Sequence, residues 1–548
     1  GLRARFELSR PSRIQASFES LQFLAPGLRI AGSGGSLAYD GERLTAEIPA
    51  IDLDGALIGE FISEYDPEPQ LYRLLSMNQP RLSAKQVKLD WILKGSPQVA
   101  AEIDAFEIKA AQSIPEIGPV GGRLYVDGSR GWFEFAAKSA IFSLPEIFPT
   151  PWIEQSISGT LAFDRTAHGL MLRGEDLRVK STEQDVQGAL LIDLPSDRQQ
   201  RMQLELTVQA STGALPGLLP LDLDDEMVDF LGRSVEQVVV DRGRISYSGP
   251  LGSGVDRTRR DLSMHLPLTS YRFKPLTNWP AFKGAQGVVD FVSKRARIEF
   301  NEPDFGGLLV PHVVAKQAAE DIRRIDIEGR LMGEAFDVLA VLEEAGVKPE
   351  ALGSSVKLNG RLSGDVELTV PIGGDPSGRV IIESEGLTVE LAQLAEPLIQ
   401  VIGRAEYRFN DGLYTDRLAG QLMGDPVEAW ISISDGQTEI VGQGRLKTSN
   451  IASLAQLGLG EDQLFGSADW SLVGRGDDQS FIVSLETDGQ GLGSRLPYPL
   501  TKDEASTGRI VINVTDGLDG RTFSVGIFDV TDIRGVLDSN PLTLEVIT

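Results

Sequence analysis

Polar and apolar residues alternate over long stretches of this chain, and the stretch VKLNGRLSGDVELTV at 356–370 is the clearest case. Its even positions are apolar or glycine and its odd positions are polar, which is typical of a strand with one buried and one solvated face. The Asn359-Gly360 pair in its middle is also a hairpin signal. A two-residue loop there would put the apolar residues of the two halves on opposite faces. The pattern therefore favours a single strand about 50 Å long, although a three-residue loop would keep the phase too.

Asp-Gly pairs separate many of the alternating stretches. Such a pair is typical of a β-hairpin, because both residues tolerate a positive φ. The pairs lie at 40–41, 54–55, 127–128, 411–412, 435–436, 488–489 and 516–517. Helical patterns are confined to short segments at 64–76, 222–235, 334–347 and 449–460. Since these do not alternate regularly with strands, the sequence predicts an all-β fold with minor α content, a mainly antiparallel sheet and a few short helices at strand crossings.

The apolar faces of such strands need a cover, which is ordinarily a second sheet or a layer of helices. A sandwich or barrel would have shorter strands and clear domain breaks, and a parallel β-helix would show a short regular repeat. The pattern favours an elongated, highly curved sheet whose apolar face lines a continuous hydrophobic groove. Gly360 and Gly364 on that face would permit sharp bending. We interpret residues 1–548 as one continuous fragment, with approximate segments 1–112, 113–212, 213–333, 334–448 and 449–548.

Composition and charge exclude several classes of function. The formal charge of −27 makes nucleic acid an unsuitable partner, because phosphate binding needs a basic face. The same charge disfavours tight docking on anionic lipid head groups. The chain has no cysteine, which excludes disulfides, thiolate metal sites and cysteine nucleophiles.

The sequence contains no strong catalytic or metal-binding motif. Its three histidines, His168, His265 and His312, are far apart and none lies in an HxH or HExxH context. There is no GxSxG nucleophile elbow. The acidic cluster at 222–226 could bind calcium, but capping of the helix that follows explains it more simply. We therefore expect no enzyme activity, no cofactor and no metal.

No run of about 18 apolar residues is present, so no segment has the pattern of a membrane-spanning helix. The chain begins with glycine and ends on the alternating residues Leu542, Leu544 and Val546. We expect it to be a piece of a longer protein, with any anchor or targeting segment outside it.

A hydrophobic groove would suit the acyl chains of lipids. Moving one 16-carbon chain into water costs roughly 12 kcal/mol, at about 0.8 kcal/mol for each CH₂. A groove open on one side removes that cost for the tails and leaves the head group in water. Two alternatives remain open. One is a non-enzymatic structural or scaffolding protein of the envelope, whose apolar face is closed by its own chain. The other is a polysaccharide-active enzyme, which the apolar placement of the aromatic residues disfavours.

Four segments then occur in a distinctive order: PGLLPLDLDDEMVDFLGRSV at 216–235, YRFKPLTNWPAFKGAQGVVDF at 271–291, GRLSGDVELTVPIG at 360–373 and TDGQGLGSRLPYPLTK at 487–502. Their order and spacing resemble the AsmA-like family, specifically its YhdP branch, over roughly residues 115–540. The resemblance implies a periplasmic protein, anchored to the inner membrane in its full-length form. It also implies a bridge-like role in outer-membrane homeostasis, with phospholipids conducted passively between the inner and outer membranes. The parts that contact the membranes would lie outside this chain, and the sequence does not identify any partner proteins.

The residues expected to line the groove occupy the apolar positions of the alternating strands. They are Ala296, Ile298, Phe300, Val356, Leu358, Leu362, Val366, Leu368, Val370, Ala405, Tyr407, Phe409, Ala429, Ile431, Ile433, Ala468, Trp470, Leu472, Phe481, Val483, Leu485, Ile510, Ile512 and Val514.

Overall fold

A computed structural model describes residues 3–10, 13–25, 28–54, 80–109, 115–195, 198–221, 223, 225–251, 259–276, 279–292, 294–318, 321, 323–344, 356–372, 374, 376–391, 396–409, 411–454, 462–477, 479–498, 500–517, 520–528, 531–536 and 543–547. The chain divides into two compact units. Unit 1 comprises Gly1–Phe273 and Ala285–Ile298, and unit 2 comprises Lys274–Gly284 and Glu299–Thr548. Each unit is described by itself.

Strands dominate the described residues. In chain order they are β1 (Arg3–Arg10), β2 (Arg13–Ala25), β3 (Leu28–Tyr39), β4 (Arg43–Asp54), β5 (Arg81–Ile92), β6 (Pro97–Ile108), β7 (Glu116–Asp127), β8 (Arg130–Ser143), β9 (Trp152–Thr166), β10 (Gly169–Lys180), β11 (Gln184–Pro195), β12 (Arg201–Ser211), β13 (Val235–Pro250), β14 (Asp261–Phe273), β15 (Phe282–Gly284), β16 (Gly287–Val292), β17 (Arg295–Asn301), β18 (Asp304–Phe305), β19 (Leu308–Leu309), β20 (His312–Gln317), β21 (Arg324–Glu334), β22 (Val356–Asn359), β23 (Arg361–Pro371), β24 (Ser377–Leu391), β25 (Leu398–Arg408), β26 (Gly412–Thr415), β27 (Leu418–Leu422), β28 (Asp425–Ser434), β29 (Gln437–Lys447), β30 (Leu464–Gly476), β31 (Phe481–Thr487), β32 (Leu492–Ser494), β33 (Ile510–Gly517), β34 (Gly520–Ile527), β35 (Thr531–Val536) and β36 (Thr543–Ile547).

Helices in the described residues are short. They are α1 (Leu215–Leu218), α2 (Asp225–Ser234), α3 (Ala335–Glu344) and α4 (Thr448–Leu454), with a 3₁₀ turn at Thr212–Ala214. Three of the four predicted helices are therefore confirmed within the described residues. The fourth, at 64–76, lies outside the described residues, as do 345–347 and 455–460 of two others.

Both units are antiparallel meanders, in which most strands pair with the strands before and after them in sequence. Every pairing of defined register among the described residues is antiparallel, as predicted for an all-β fold. Antiparallel neighbours need only short connections, whereas parallel ones need long crossovers. The pattern of alternation therefore determines the fold class.

The stretch VKLNGRLSGDVELTV is one strand path and not a hairpin. Its two parts, β22 and β23, both pair antiparallel with β24, with Leu358 opposite Val389 and Leu362 opposite Ser384. The path runs in one direction through Gly360, whose φ of 116° favours glycine. The expected single long strand is confirmed, with a local break at this glycine.

Most of the Asp-Gly pairs connect adjacent paired strands. These are the pairs at 40–41, 127–128, 411–412 and 435–436. The hairpin prediction is wrong at 488–489, because β31 pairs with β33 while β32 pairs with β30, so a long connection follows the turn. At 516–517 the hairpin lies two residues later, since Gly517 pairs with Gly520. Gly55, in the pair at 54–55, lies outside the described residues.

Many strands are interrupted near their middle by register shifts. One shift lies between Gly174 and Leu177 in the β10–β11 pair, and another between Glu385 and Leu387 in the β24–β25 pair. An extra residue on one strand bends it and increases its twist. The sheet of each unit is therefore curved across its strands, with an inner and an outer face.

The connections fall alternately at two rims, because successive strands run in opposite directions. In unit 1 the helix rim carries the long connections 144–151 and 212–234, and the turn rim carries 128–129 and 167–168. In unit 2 the helix rim carries 335–355, 448–463 and 488–509, and the turn rim carries 435–436 and 477–480. All four described helices therefore lie at the helix rims.

Candidate functional site

The predicted residues from Leu362 to Val514 share one face of unit 2. Residues directly opposite each other on paired strands project to the same side of a sheet, so the register can be followed from strand to strand. One such row comprises Gly329, Val366, Val380, Tyr407, Leu413 and Ile433. A second comprises Ile431, Ile440, Gly474, Val483, Val514 and Phe523. We call this face the inner face of unit 2.

The predicted residues differ in exposure. The buried ones are Phe300, Leu362, Leu368, Val370, Ala468 and Trp470. The half-buried ones are Ala296, Ile298, Leu358, Val366, Ala405, Tyr407, Phe409, Ala429, Ile431, Ile433, Leu472, Phe481, Val483, Leu485, Ile510, Ile512 and Val514. The side chain of Val356 lies outside the described residues.

The inner and outer faces of unit 2 differ in chemistry. The half-buried inner residues are almost all apolar, so hydrocarbon surface remains partly accessible along this face. The outer face instead carries exposed ion pairs, such as Arg379–Glu367 at 2.8 Å and Arg475–Glu439 at 2.5 Å. Large accessible apolar surface commonly marks a binding surface. The inner face is therefore the candidate functional site of this unit.

A cavity of about 40 Å³, partly open to solvent, lies on the inner face where β20, β21, β23 and β24 meet. Its walls are entirely apolar: Trp279, Phe282, Phe305, Val310, Val313, Ile327, Gly329, Leu331, Val341, Val366, Leu368, Val380 and Phe409. Phe282 and Phe305 stack with ring centroids 4.3 Å apart and close one side. The volume is well below that of a typical small-molecule pocket, so the cavity is a local widening of the apolar face, and its walls offer hydrocarbon contact with no side-chain hydrogen-bonding group except the Trp279 indole.

Segments from the helix rim cover parts of the inner face of unit 2. Val338 and Val341 of α3 are buried over the sheet beside Leu331 and Leu362. In α4, Ile451 packs in a cluster with Leu446, Ala468, Trp470 and Leu492. The helices therefore act as local covers, which explains why some predicted lining residues are buried while others remain half-exposed.

Unit 1 has an equivalent apolar face that the sequence analysis did not identify. Its row comprises Ala46, Leu89, Val99, Val126, Gly131, Phe163, Leu172, Ile192, Met202 and Gly249. Leu89, Phe163 and Leu172 are half-buried, whereas Ile192 and Met202 are almost fully buried. Segments such as GGRLYV at 121–126 do alternate, but alternation within one strand does not give its register against the next strand.

A second layer covers the inner face of unit 1 at β11–β14. Leu144, Ile147 and Phe148 follow β8 at the helix rim and are buried, together with Leu218 of α1 and Met227 of α2. Backbone and side-chain hydrogen bonds hold this layer together, because Leu221 N donates to Ile147 O at 2.7 Å and Trp152 Nε1 donates to Gly217 O at 2.8 Å. This part of the face is closed by the chain itself.

An ion pair connects the two rims of unit 1 across this layer. Glu146 lies in a helix-rim connection, and Arg260 lies in the connection from β13 to β14 at the turn rim. Arg260 Nη2 donates to Glu146 Oε2 at 2.6 Å, and Nη1 donates to the Glu146 carbonyl at 3.3 Å. The Arg260 side chain is only 5% exposed. The rims therefore meet over the inner face at this point.

Three titratable side chains illustrate the electrostatics of the two units. Burial raises the pKa of Tyr407, which keeps its phenol neutral on the inner face of unit 2. His265 lies 2.7 Å from Asp290, and His312 lies 2.9 Å from Glu299, both at solvent-exposed positions. Within the described residues, no group of three or more His, Asp or Glu side chains is arranged to hold a metal ion. Asp222 and Asp224, from the acidic cluster, lie outside that part of the chain.

Among the residues that the structure describes, no helix combines the length and the apolar character needed to cross a membrane.

Comparison with known proteins gives one family. The sequence model of the family described as YhdP protein matches residues 6–529 of this chain. A search of curated proteins gave no match.

Proposed function

The chain belongs to the YhdP family, a family of envelope proteins related to lipid transport, and from that premise we propose that it is part of a bridge-like lipid transport protein. Its inner faces would hold phospholipid acyl chains as they pass through the periplasm between the inner and outer membranes. The role is passive and non-enzymatic, and it needs no cofactor. Membrane anchoring and membrane contact would belong to parts of the full-length protein outside this chain.

One observation carries the proposal: rows of apolar side chains remain half-exposed along the inner face of unit 2. Burying such surface is worth about 25 cal/mol per Å², so leaving it accessible is unfavourable unless a ligand covers it. An acyl chain gains about 0.8 kcal/mol for each CH₂ that leaves water. The charged outer face keeps the protein soluble while the inner face holds the hydrocarbon.

A structural or scaffolding protein of the envelope is the second candidate. The covered sector of unit 1, with its buried Glu146–Arg260 pair, favours it because there the inner face is filled by the chain's own segments. This candidate predicts purified protein without lipid.

Two consecutive residues of β29 provide a matched test. Ile440 lies on the inner face opposite Ile431, and Val441 lies on the outer face, where it is 40% exposed. Ile440→Glu puts a carboxylate where acyl chains would lie, and Val441→Glu puts the same charge in water. We expect mass spectrometry to find phospholipid with the wild-type chain and with Val441→Glu, and several-fold less with Ile440→Glu.

Circular dichroism and the urea midpoint check that both variants are folded. Wild-type protein that carries no more phospholipid than an unrelated periplasmic protein purified in the same way would contradict the proposal. Equal lipid content in two folded variants would contradict the assignment of the inner face.

A further inference from the structure

Trp470 carries a buried donor that has no acceptor. It lies on β30, opposite Gly444 on the inner face of unit 2, and its side chain is 4% exposed. Its indole Nε1 makes no hydrogen bond with any residue that the structure describes. Nearly all buried polar groups in proteins are hydrogen-bonded, and an orphaned one costs roughly 1–3 kcal/mol. An acceptor supplied by a ligand would remove that cost.

The residues that pack around Trp470 indicate the chemical character of the rest of the ligand. Leu446, Ile451 and Leu492 pack with it, and Leu485 and Ile512 lie against the same cluster but are only half-buried. The site therefore combines one N–H donor with an apolar path that remains partly accessible. This combination suits an acyl chain that carries an oxygen at one end.

The wall formed by Leu492 is fixed by a buried lysine. Lys502 Nζ donates to the carbonyl oxygens of Gly489 at 2.7 Å, Leu492 at 2.9 Å and Ser506 at 2.5 Å. Burial lowers the pKa of Lys502. The Lys502 ammonium donates its hydrogen bonds to backbone carbonyls within the connection 488–509. This cation therefore does not serve as a partner for a negative charge on a ligand.

Among the described residues, no buried cation next to Trp470 is left to act as a counter-charge, which favours a neutral acceptor. The charged residues next to Trp470 and its partner Gly444, Asp469 and Arg445, are exposed to solvent with side chains 77% and 56% accessible. A carboxylate or phosphate beside the indole would be buried without a cation, which is strongly unfavourable. An ester carbonyl needs only the one donor that the site offers.

We propose that Trp470 Nε1 donates a hydrogen bond to the ester carbonyl of an acyl chain lying on the inner face of unit 2. The subsite would fix the glycerol end of a diacyl lipid at this position along the face. The proposal rests on the proposed function, because it assigns one contact within the same surface.

Ester and ether lipids separate this contact from lipid binding in general. Dipalmitoyl phosphatidylcholine and its dialkyl ether analogue share head group and chains, but only the ester lipid has carbonyl oxygens. Wild type, Trp470→Phe and Trp430→Phe are each incubated with vesicles of an equal mixture of the two lipids, and the bound lipid is quantified by mass spectrometry. Trp430 lies on β28, two strands away, and pairs with Val441 of the outer face, so it is the matched control.

We expect wild type and Trp430→Phe to prefer the ester lipid by about three- to tenfold, as one net hydrogen bond would give. Trp470→Phe should bind both lipids equally, because it keeps the ring but loses the donor. Trp470→Phe assigns the ¹⁵N-indole resonance of Trp470, because that resonance is missing in the variant. In wild type the resonance should move downfield with the ester lipid and should not move with the ether lipid.

The outcomes test the Trp470 contact and lipid binding by the chain separately. Equal binding of both lipids by wild type overturns the Trp470 contact and leaves the lipid groove standing. Binding of neither lipid overturns the proposed function itself. A second competition, between palmitate and methyl palmitate, tests the acceptor, and preference for palmitate at pH 8 would replace the ester carbonyl by a free carboxylate and overturn the proposal.

Discussion

Removal of the Glu146 carboxylate should destabilise unit 1 more than removal of any exposed carboxylate. In Glu146→Leu the Arg260 guanidinium stays buried but loses the 2.6 Å bond to Oε2 and the compensating charge. The 3.3 Å bond to the backbone carbonyl of residue 146 remains possible. The variant therefore isolates the cost of an unpaired buried cation.

The expected loss in the free energy of unfolding follows from the burial of the ion pair. Breaking a buried ion pair by removing one partner costs about 3–5 kcal/mol, and the Glu146–Arg260 side chains are 18% and 5% exposed. The Arg130–Asp164 pair of the same unit is 77% and 38% exposed. Exposed pairs contribute about 0–1 kcal/mol, so Asp164→Asn should have little effect and is the matched control.

Urea denaturation followed by circular dichroism gives the free energy of unfolding. Hydrogen exchange read by mass spectrometry should show faster exchange in segment 144–148 of Glu146→Leu, because the rim-to-rim contact is lost. The double variant Glu146→Leu/Arg260→Met should recover most of the stability, since an apolar pair of similar volume can replace a buried ion pair.

A loss below about 1 kcal/mol in Glu146→Leu, equal to that of Asp164→Asn, would refute this reasoning. So would a double variant that is less stable than Glu146→Leu, because the apolar pair would then be a worse occupant than the isolated arginine.

Two further predictions concern backbone conformation and pH. Gly360→Ala should lower the urea midpoint, at a cost of about 1–2 kcal/mol, because φ is 116° there. Gly232→Ala, in open space within α2, should raise the midpoint slightly instead, and a rise in both would contradict the strain at Gly360. Hydrogen bonds from Arg178 hold the pKa of Asp185 below its ordinary value of 3.8, so its stabilising effect is present above that value and is lost as the pH falls through the lowered pKa. Asp185→Asn should therefore flatten the loss of stability below pH 4 in pH-dependent urea titrations, and an unchanged slope would contradict the pairing.

The sequence predicted those parts of the fold that depend on local periodicity. Strict alternation located the long strand path through Gly360, because a strand of any length keeps its faces at a period of two. It also located α2 and α3 from their amphipathic patterns. The faces of Tyr407 and Val483 followed from the same rule, since register preserves the side on which a residue lies.

The parts that sequence reasoning missed depend on distant contacts. Glu146 and Arg260 are separated by 114 residues, and no local pattern indicates that two rim connections meet. The Asp488-Gly489 turn is present, but the pairing of β32 with β30 decides where the chain goes next. The orphaned Nε1 of Trp470 was also beyond prediction, because an alternating apolar position reveals a face and not the acceptors around it.

The meander has a consequence for how such a chain is synthesised and how it diversifies. Because nearly every strand hydrogen-bonds to neighbours close in sequence, each new hairpin can dock onto the edge left by the previous one as the polypeptide emerges from the ribosome. Stability then accumulates mainly from adjacent strands, as in linear repeat proteins. Insertion or deletion of a strand pair would lengthen or shorten the sheet by about 10 Å without disturbing the register elsewhere, so the reach of the molecule can change by duplication of small genetic segments.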